Sequence, residues 1–222
     1  MADACLADKP QEACGVFGIY APEGVQAARD IYYALLALQH RGQESAGVAV
    51  SETQGKKGNL SVKKGMGVVS EAIDEADLEM LKGNLGVGHV RYSTTGESTL
   101  QNAQPIAMRY IKGSLALVHN GNISNAEELR ERQALRGQAH YTTSDSEVLA
   151  YELVRARLRT TSIEKAAAAA ACTLRGGYAV IVMSPRKLVG IRDPYGIKPL
   201  ALGKKGESML LASESAAFSA IG

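Results

Sequence analysis

Residues 14–20 read CGVFGIY, a short β-rich run with Cys14 at its head, and the thirteen residues before it, MADACLADKPQEA, have neither helical nor strand period. The contrast poses the question on which the rest turns: Cys14 either packs as a buried structural thiol, or becomes the first residue of a working enzyme once a leader is cut away. A free thiol, with a pKa near roughly 8.5, stays mostly protonated at neutral pH and needs a base before it can attack. An α-amino group, with a pKa of about 7.7–8.0, lies within reach of its own residue's sulfur, so an N-terminal cysteine carries nucleophile and base together.

Outward from this strand, "GVQAARDIYYALLALQHRG" places Val25, Ala28, Ile31, Tyr32, Leu35 and Leu36 on one helical face, with a stop at Gly42. "SAGVAVS" and "NLSVKKG" predict two strands joined by a Gly- and Lys-rich turn. "EADLEMLKG" predicts a short helix. "LGVGHVRYS" and "SLALVHNG" predict strands on either side of a polar loop from Thr94 to about Pro105. Three helices follow ("SNAEELRERQAL", "SDSEVLAYELVRARL", "SIEKAAAAAACTLRG"), and then four strands ("YAVIVMS", "KLVGIRD", "KPLALGK", "SMLLASE"). Strands follow strands and helices follow helices, which predicts antiparallel sheets covered by helices, an α+β fold and not a βαβ wind. No repeat or linker divides the 222 residues, so a single domain is expected.

Hydrophobic residues make up 45% and charged residues 22%, as in ordinary globular chains, and the net charge of +2 argues for neither nucleic acid nor an anionic membrane as partner. The leader carries Asp3, Asp8 and Glu12 and lacks the apolar stretch of a secretory signal, and no run is long enough to span a bilayer. Three cysteines at irregular spacing indicate neither a disulfide framework nor a zinc site. A cytoplasmic protein with reduced thiols is expected.

Four further stretches bear chemistry-capable residues. In "VHNGNISN", Asn120 and Gly121 can pair a side-chain amide with a backbone N–H as a two-donor oxyanion hole, or form a plain Asn-Gly turn. In "GHVRYSTTGESTLQNAQP", Arg91 can grip a carboxylate with its two-pronged fork, and the Ser, Thr and Gly residues after it suit a lid. In "TTSDSEV", Ser144 or Asp145 can cap the next helix, and Asp145 can also bind a cation. "LQHRGQESAG" reads as a helix end with a Gly C-cap.

Taken in order, Cys-Gly, "RGQESAG", "GHVRYSTTG", "HNGNISN", "SDSE" and "RDPYGIKPL" resemble the class II glutamine amidotransferase domain, an N-terminal-nucleophile hydrolase, in its amidophosphoribosyltransferase branch. The sugar-isomerising branch would show "RGYDSAG"-like and "TRWATHG"-like text. The resemblance runs from Cys14 to Gly222 and implies a four-layer αββα sandwich with residues 1–13 as a self-removed propeptide. It implies Cys14 as nucleophile, Asn120 and Gly121 as oxyanion hole, Arg91 on the glutamine α-carboxylate and Asp145 on its α-ammonium. Arg41 and Gly42 line the same pocket, and Tyr92, Ser93 and Thr94 begin a loop, reaching about Gln104, that closes over glutamine.

The branch's enzymes continue into a phosphoribosyltransferase domain with Mg²⁺, and relatives with a propeptide often carry a 4Fe-4S cluster. No phosphoribosyl-binding motif stands in this chain. No cofactor is therefore expected on it alone, a phosphoribosyltransferase domain or subunit is the expected partner, and the full-length form is expected to be a homo-oligomer. Two rival readings use the same residues. One is a Cys14-His119-Asn120 hydrolase, awkward because neighbours on a strand point to opposite faces. The other is a non-catalytic glutamine-binding remnant.

Overall fold

The computed structural model describes residues 14–54, 60–92 and 97–222. The expected leader, and Ser93 and Thr94, lie outside the described residues.

Two antiparallel sheets stack face to face. The six-stranded sheet contains β1 (Gly15–Tyr20), β2 (Ser45–Ser51), β3 (Ser61–Met66), β4 (Leu85–Arg91), β9 (Ala201–Lys205) and β10 (Ser208–Ala212), in the order β3-β2-β4-β1-β10-β9. The four-stranded sheet contains β5 (Ile106–Tyr110), β6 (Gly113–Ile123), β7 (Gly176–Ser184) and β8 (Lys187–Arg192), in chain order. Every strand pair is antiparallel.

Helices cover the outer face of each sheet. α1 (Ala27–Ala37) buries Ile31, Ala34 and Leu35 against β1 and β4, and α2 (Val69–Ala72) packs on β2. α3 (Glu75–Met80) contributes Leu78 to the same cluster, and α7 (Ala216–Ser219) lies on α1. On the other side α4 (Ala126–Ala134) packs on α5 (Asp145–Arg159), which lies on β5 and β6, while α6 (Ile163–Ala171) lies on β8.

Three apolar clusters fill the spaces between these four layers, the central one formed by Val16, Leu85, Val87, Ala116, Val118 and Ile181 among others. Strand alternation explains the division. In β6, Ala116 and Val118 face the other sheet, while Leu117 faces α5 and its neighbours. The expected αββα sandwich is the fold observed.

Four details differ from the sequence reading. β5 lies in the stretch after the polar loop and was not expected, nor were the four-residue helices α2 and α7. Val25 and Leu36 were expected on the buried face of α1, yet are 38% and 39% exposed, because the helix starts only at Ala27 and its buried stripe runs through Ile31 and Leu35. The "QHR" segment is a separate 3-10 turn, Gln39–Arg41, and Gly42 after it is extended at φ −164°, so Gly42 is no left-handed helix cap. What requires glycine there is proximity: a Cβ would stand 2.5 Å from the carbonyl carbon of Arg91.

Candidate active site

β1 lies inside its sheet between β4 and β10, and this position fixes Cys14 at one end of the inter-sheet layer. Val16, two residues on, pairs with His89 of β4 and is bonded to Ser213 in both directions: Val16 N–H donates to Ser213 Oγ at 2.9 Å, and Ser213 N–H to the Val16 carbonyl at 3.0 Å. Cys14 itself is held on both sides by Arg41. Its N–H donates to the Arg41 carbonyl at 3.2 Å, and Arg41 Nε donates to the Cys14 carbonyl at 2.8 Å. The buried Arg41 guanidinium is paired with Glu214, which also sits 3.1 Å from His40 Nε2.

Cys14 is the one non-glycine among the described residues with a left-handed φ, +65°, a conformation costing of order 1–3 kcal/mol unless its surroundings impose it. Its Sγ reaches the Tyr92 carbonyl at 3.5 Å. Burial pushes the thiol above its ordinary value; a backbone hydrogen bond at Tyr92 and the charge of Arg91 pull the other way, and Asp145 and Glu44 add to the rise. As it stands the sulfur is held protonated, so attack requires a base or a change in its solvation.

Arg91, the last residue of β4, is buried, ion-paired through Nη1 to Glu44, and donates from the same nitrogen to the Glu97 carbonyl at 3.2 Å. Asp145 opens α5, but Ser144 is the cap, its hydroxyl accepting from Ser146 N–H at 3.2 Å. This leaves the Asp145 carboxylate to turn inward, where Oδ2 accepts the Ile123 N–H at 3.0 Å. Burial alone would raise its pKa; the nearby His119 imidazole and the N–H donors outweigh that and hold it below the ordinary carboxylate range.

On β6 the side chains of His119 and Asn120 point to opposite faces. His119 Nδ1 is 3.1 Å from Ser146 Oγ on α5, while Asn120 has the parity of Ala116 and Val118 and faces the inter-sheet layer. Asn120 is fully buried, and neither its Oδ1 nor its Nδ2 has a partner among the described residues. His89 Nε2 contacts the His119 carbonyl at 3.1 Å, so β4 and β6 meet at this end of the layer. Gly121 departs from strand geometry at φ +138°, and a Cβ there would stand 2.2 Å from the Gly177 carbonyl oxygen. The Cys14-His119-Asn120 alternative fails on this geometry, because His119 is engaged on the helix side of the sheet.

A cavity of about 710 Å³ is lined by His40, Arg41, Gly42, Gln43, Glu44, Tyr92 and Glu214; two of these, Arg41 and Tyr92, contact Cys14. A cleft of about 590 Å³ at Lys112, Arg157 and Lys187 lies at the other end of β6 and shares no residue with it. Of the expected lid, the described part is tied down. Asn102 donates to the Glu97 carbonyl and to Thr143 Oγ1, both at 2.8 Å, and Gln104 Oε1 accepts the His119 N–H at 2.7 Å. The expected loop to Gln104 is therefore anchored from Glu97 onward.

Glu44, Glu214 and Gln104 escaped the sequence reading, although Glu44 stands three residues after Arg41 within "RGQES". Among the described residues no three His, Cys, Asp or Glu side chains could jointly hold a metal, and both described cysteines are free thiols. Two described cysteines cannot supply the four thiolates of an iron–sulfur cluster on these residues. No helix among the described residues is long and apolar enough to cross a membrane.

Residues 89–220 match the family model described as a glutamine amidotransferase domain. The chain belongs to the glutamine amidotransferase domain family. It is 44% identical to an amidophosphoribosyltransferase of Synechocystis sp. across 97% of its own length and 43% of the relative's, and 40% identical to one of Methanocaldococcus jannaschii across 94% and 43%. The solved glutamine phosphoribosylpyrophosphate amidotransferase of B. subtilis, complexed with ADP and GMP, superposes with a TM-score of 0.85 at 37% identity over 94% of this chain and 44% of that one. The chain thus spans less than half the length of the curated relatives it matches.

Proposed function

We propose that this chain is the glutamine-hydrolysing part of an amidophosphoribosyltransferase, releasing ammonia from the side-chain amide of glutamine for 5-phosphoribosylamine formation in purine biosynthesis. The observation that carries the reading is the convergence, at one end of the inter-sheet layer, of a thiol, a guanidinium, a carboxylate and an unpartnered buried amide. An α-amino acid substrate supplies the matching groups. Its α-carboxylate takes Arg91, held in place by Glu44, and its α-ammonium takes Asp145. Arg41, Gly42 and Tyr92 wall the pocket; the substrate contacts expected of Ser93 and Thr94 fall outside the described residues.

Removal of residues 1–13 frees the Cys14 α-amine, which accepts the thiol proton as sulfur attacks the side-chain amide carbon. The tetrahedral oxyanion is received by Asn120 Nδ2 and the Gly121 N–H, each worth roughly 2.7–4 kcal/mol. The protonated amine passes its proton to the departing ammonia, and water then hydrolyses the γ-glutamyl thioester to glutamate. The strained φ of Cys14 supports a junction held for cleavage.

Transfer of the ammonia is assigned to a phosphoribosyltransferase domain or subunit, which the doubled length of the relatives supports; any Mg²⁺ or cluster belongs there. Free thiols favour a reducing, cytoplasmic setting. Intact-mass measurement combined with a glutamate assay tests the proposal. The active protein should begin at Cys14, and Cys14→Ala should retain residues 1–13 and release no glutamate. Glutamate release by protein still carrying Met1 would overturn the N-terminal-amine mechanism.

A further inference from the structure

Behind Asp145 stands a set of buried side chains that the mechanism above does not use. Asp145 Oδ1 is 3.5 Å from Ser146 Oγ and 3.6 Å from His119 Nδ1. Ser146 Oγ also accepts from Gln104 Nε2 at 3.1 Å and lies 3.1 Å from His119 Nδ1. Gln104 in turn brackets the His119 peptide, accepting its N–H at 2.7 Å and reaching its carbonyl at 3.4 Å. All four side chains are buried.

The hydrogens in this set can be arranged so that Ser146 serves all three of its neighbours. His119 Nε2 is buried with no partner among the described residues, so the ring hydrogen belongs on Nδ1, where Ser146 Oγ can accept it. A hydroxyl has one hydrogen and two lone pairs. With Gln104 and His119 both donating to Ser146 Oγ, its acceptor capacity is full and its single hydrogen is directed to Asp145 Oδ1. Gln104, fixed by the β6 backbone, and His119, fixed by the strand, thus set the direction of the Ser146 hydroxyl. Together with the Ile123 N–H on Oδ2, this aims one donor at each carboxylate oxygen, Ser146 at the long distance of 3.5 Å, and each oxygen keeps a lone pair.

We infer that Ser146 is a positioning residue for recognition of the substrate α-ammonium, aiming the Asp145 carboxylate while never touching glutamine, and that His119 and Gln104 orient Ser146. The inference rests on the reading of Asp145 as the ammonium-binding residue. Its signature is selectivity for the amino group, because a carboxylate that wanders loses its hold on the ammonium and on nothing else.

The test compares glutamine with glutaramate, the same molecule without the α-amino group, as substrates of the processed protein. Where glutaramate turnover falls below detection, its inhibition constant against glutamine replaces the rate. Ser146→Ala should lower kcat/KM for glutamine about 10-fold, mainly through KM, since a hydrogen bond to a charged group contributes roughly 1.5–3 kcal/mol. Glutaramate should stay within about twofold of wild type, and Ser146→Thr, which keeps the hydroxyl, should recover most of the selectivity. Equal losses for both compounds would assign Ser146 a merely structural role and overturn the inference, as would unchanged glutamine kinetics. Asp145→Asn separates the two layers. If it abolishes the preference for glutamine while Ser146→Ala does not, the positioning role fails and the Asp145 reading stands. If Asp145→Asn keeps the preference, the Asp145 reading fails and the inference with it.

Discussion

Replacing Asn120 with alanine should damage catalysis and steady the fold in the same variant. The side chain is fully buried, and neither amide atom has a partner among the described residues. A buried polar group left unpaired costs about 1–3 kcal/mol, a cost present in the resting protein and offset only when an oxyanion arrives. Alanine removes that cost and leaves a void of roughly 40 Å³, which at about 24 cal/mol per Å³ takes back about 1 kcal/mol. The balance is a gain of about 1 kcal/mol, or a rise in Tm of about 2–4 °C for a domain of this size. In the same variant kcat should fall about 10²–10³-fold, the usual loss of one oxyanion donor. Thermal unfolding followed by circular dichroism gives the first quantity, and glutamate release at saturating glutamine gives the second. A fall in Tm of more than about 4 °C would mean that the amide is already satisfied in the resting protein, and an undiminished kcat would remove Asn120 from the oxyanion hole. Opposite movement of activity and stability is what a group held in readiness for a transition state should show.

Two further outcomes follow from the same region. His89 is fully buried, and burial first, then the electrostatic influence of the neighbouring His119 and Arg91, hold its pKa down at about 3 despite its bond to the His119 carbonyl. Between that value and the ordinary value near 6.5 the unfolded chain binds the proton and the folded chain does not, so this contribution is complete above about pH 6.5 and is lost on acidification at about 1.4 kcal/mol per pH unit. Urea unfolding from pH 7 to pH 4 should show a shallower slope in His89→Gln, and an identical slope would show that His89 is not the group responsible. Gly121→Ala should cost at least about 3 kcal/mol, because its Cβ would overlap the Gly177 carbonyl oxygen at a left-handed φ. Gly113→Ala shares the positive φ but meets nothing within 4 Å, and should cost only about 1 kcal/mol; equal losses at the two positions would place the whole penalty in the dihedral.

Much of this architecture could be read from local text. The alternation of "GVFGIY" and "SLALVHNG", and the cap chemistry of "SDSE", are encoded within a few residues, and they give β1, β6 and the start of α5. Even the opposed faces of His119 and Asn120 follow from strand period alone. β5 was hidden because its "IAMRY" sits behind a polar loop and shows only one fully buried side chain, Ile106. The remaining misses are long-range. Glu214 meets Arg41 across 173 residues, and Gln104 substitutes its side-chain amide for the strand partner that β5 does not extend far enough to supply. Such pairings depend on how strands and sheets are placed in space, which no local pattern of residues encodes. Gly42 misled for a related reason: "HRG" reads as a helix stop, while its actual constraint is the Arg91 backbone pressed against it.

The two hydrogen bonds between Val16 and Ser213 tie the beginning of the domain to the residue just after its last strand. On a ribosome these residues appear about 200 residues apart, roughly 10–40 s at ordinary elongation rates. Through that interval β1 lacks β10 beside it, and Arg41 lacks the carboxylate of Glu214. The seat of Cys14 is completed only as the far end of the domain emerges. The chemistry proposed for Cys14 would thereby wait on translation, because a chain stalled or truncated before Ser213 lacks the contacts that seat this residue.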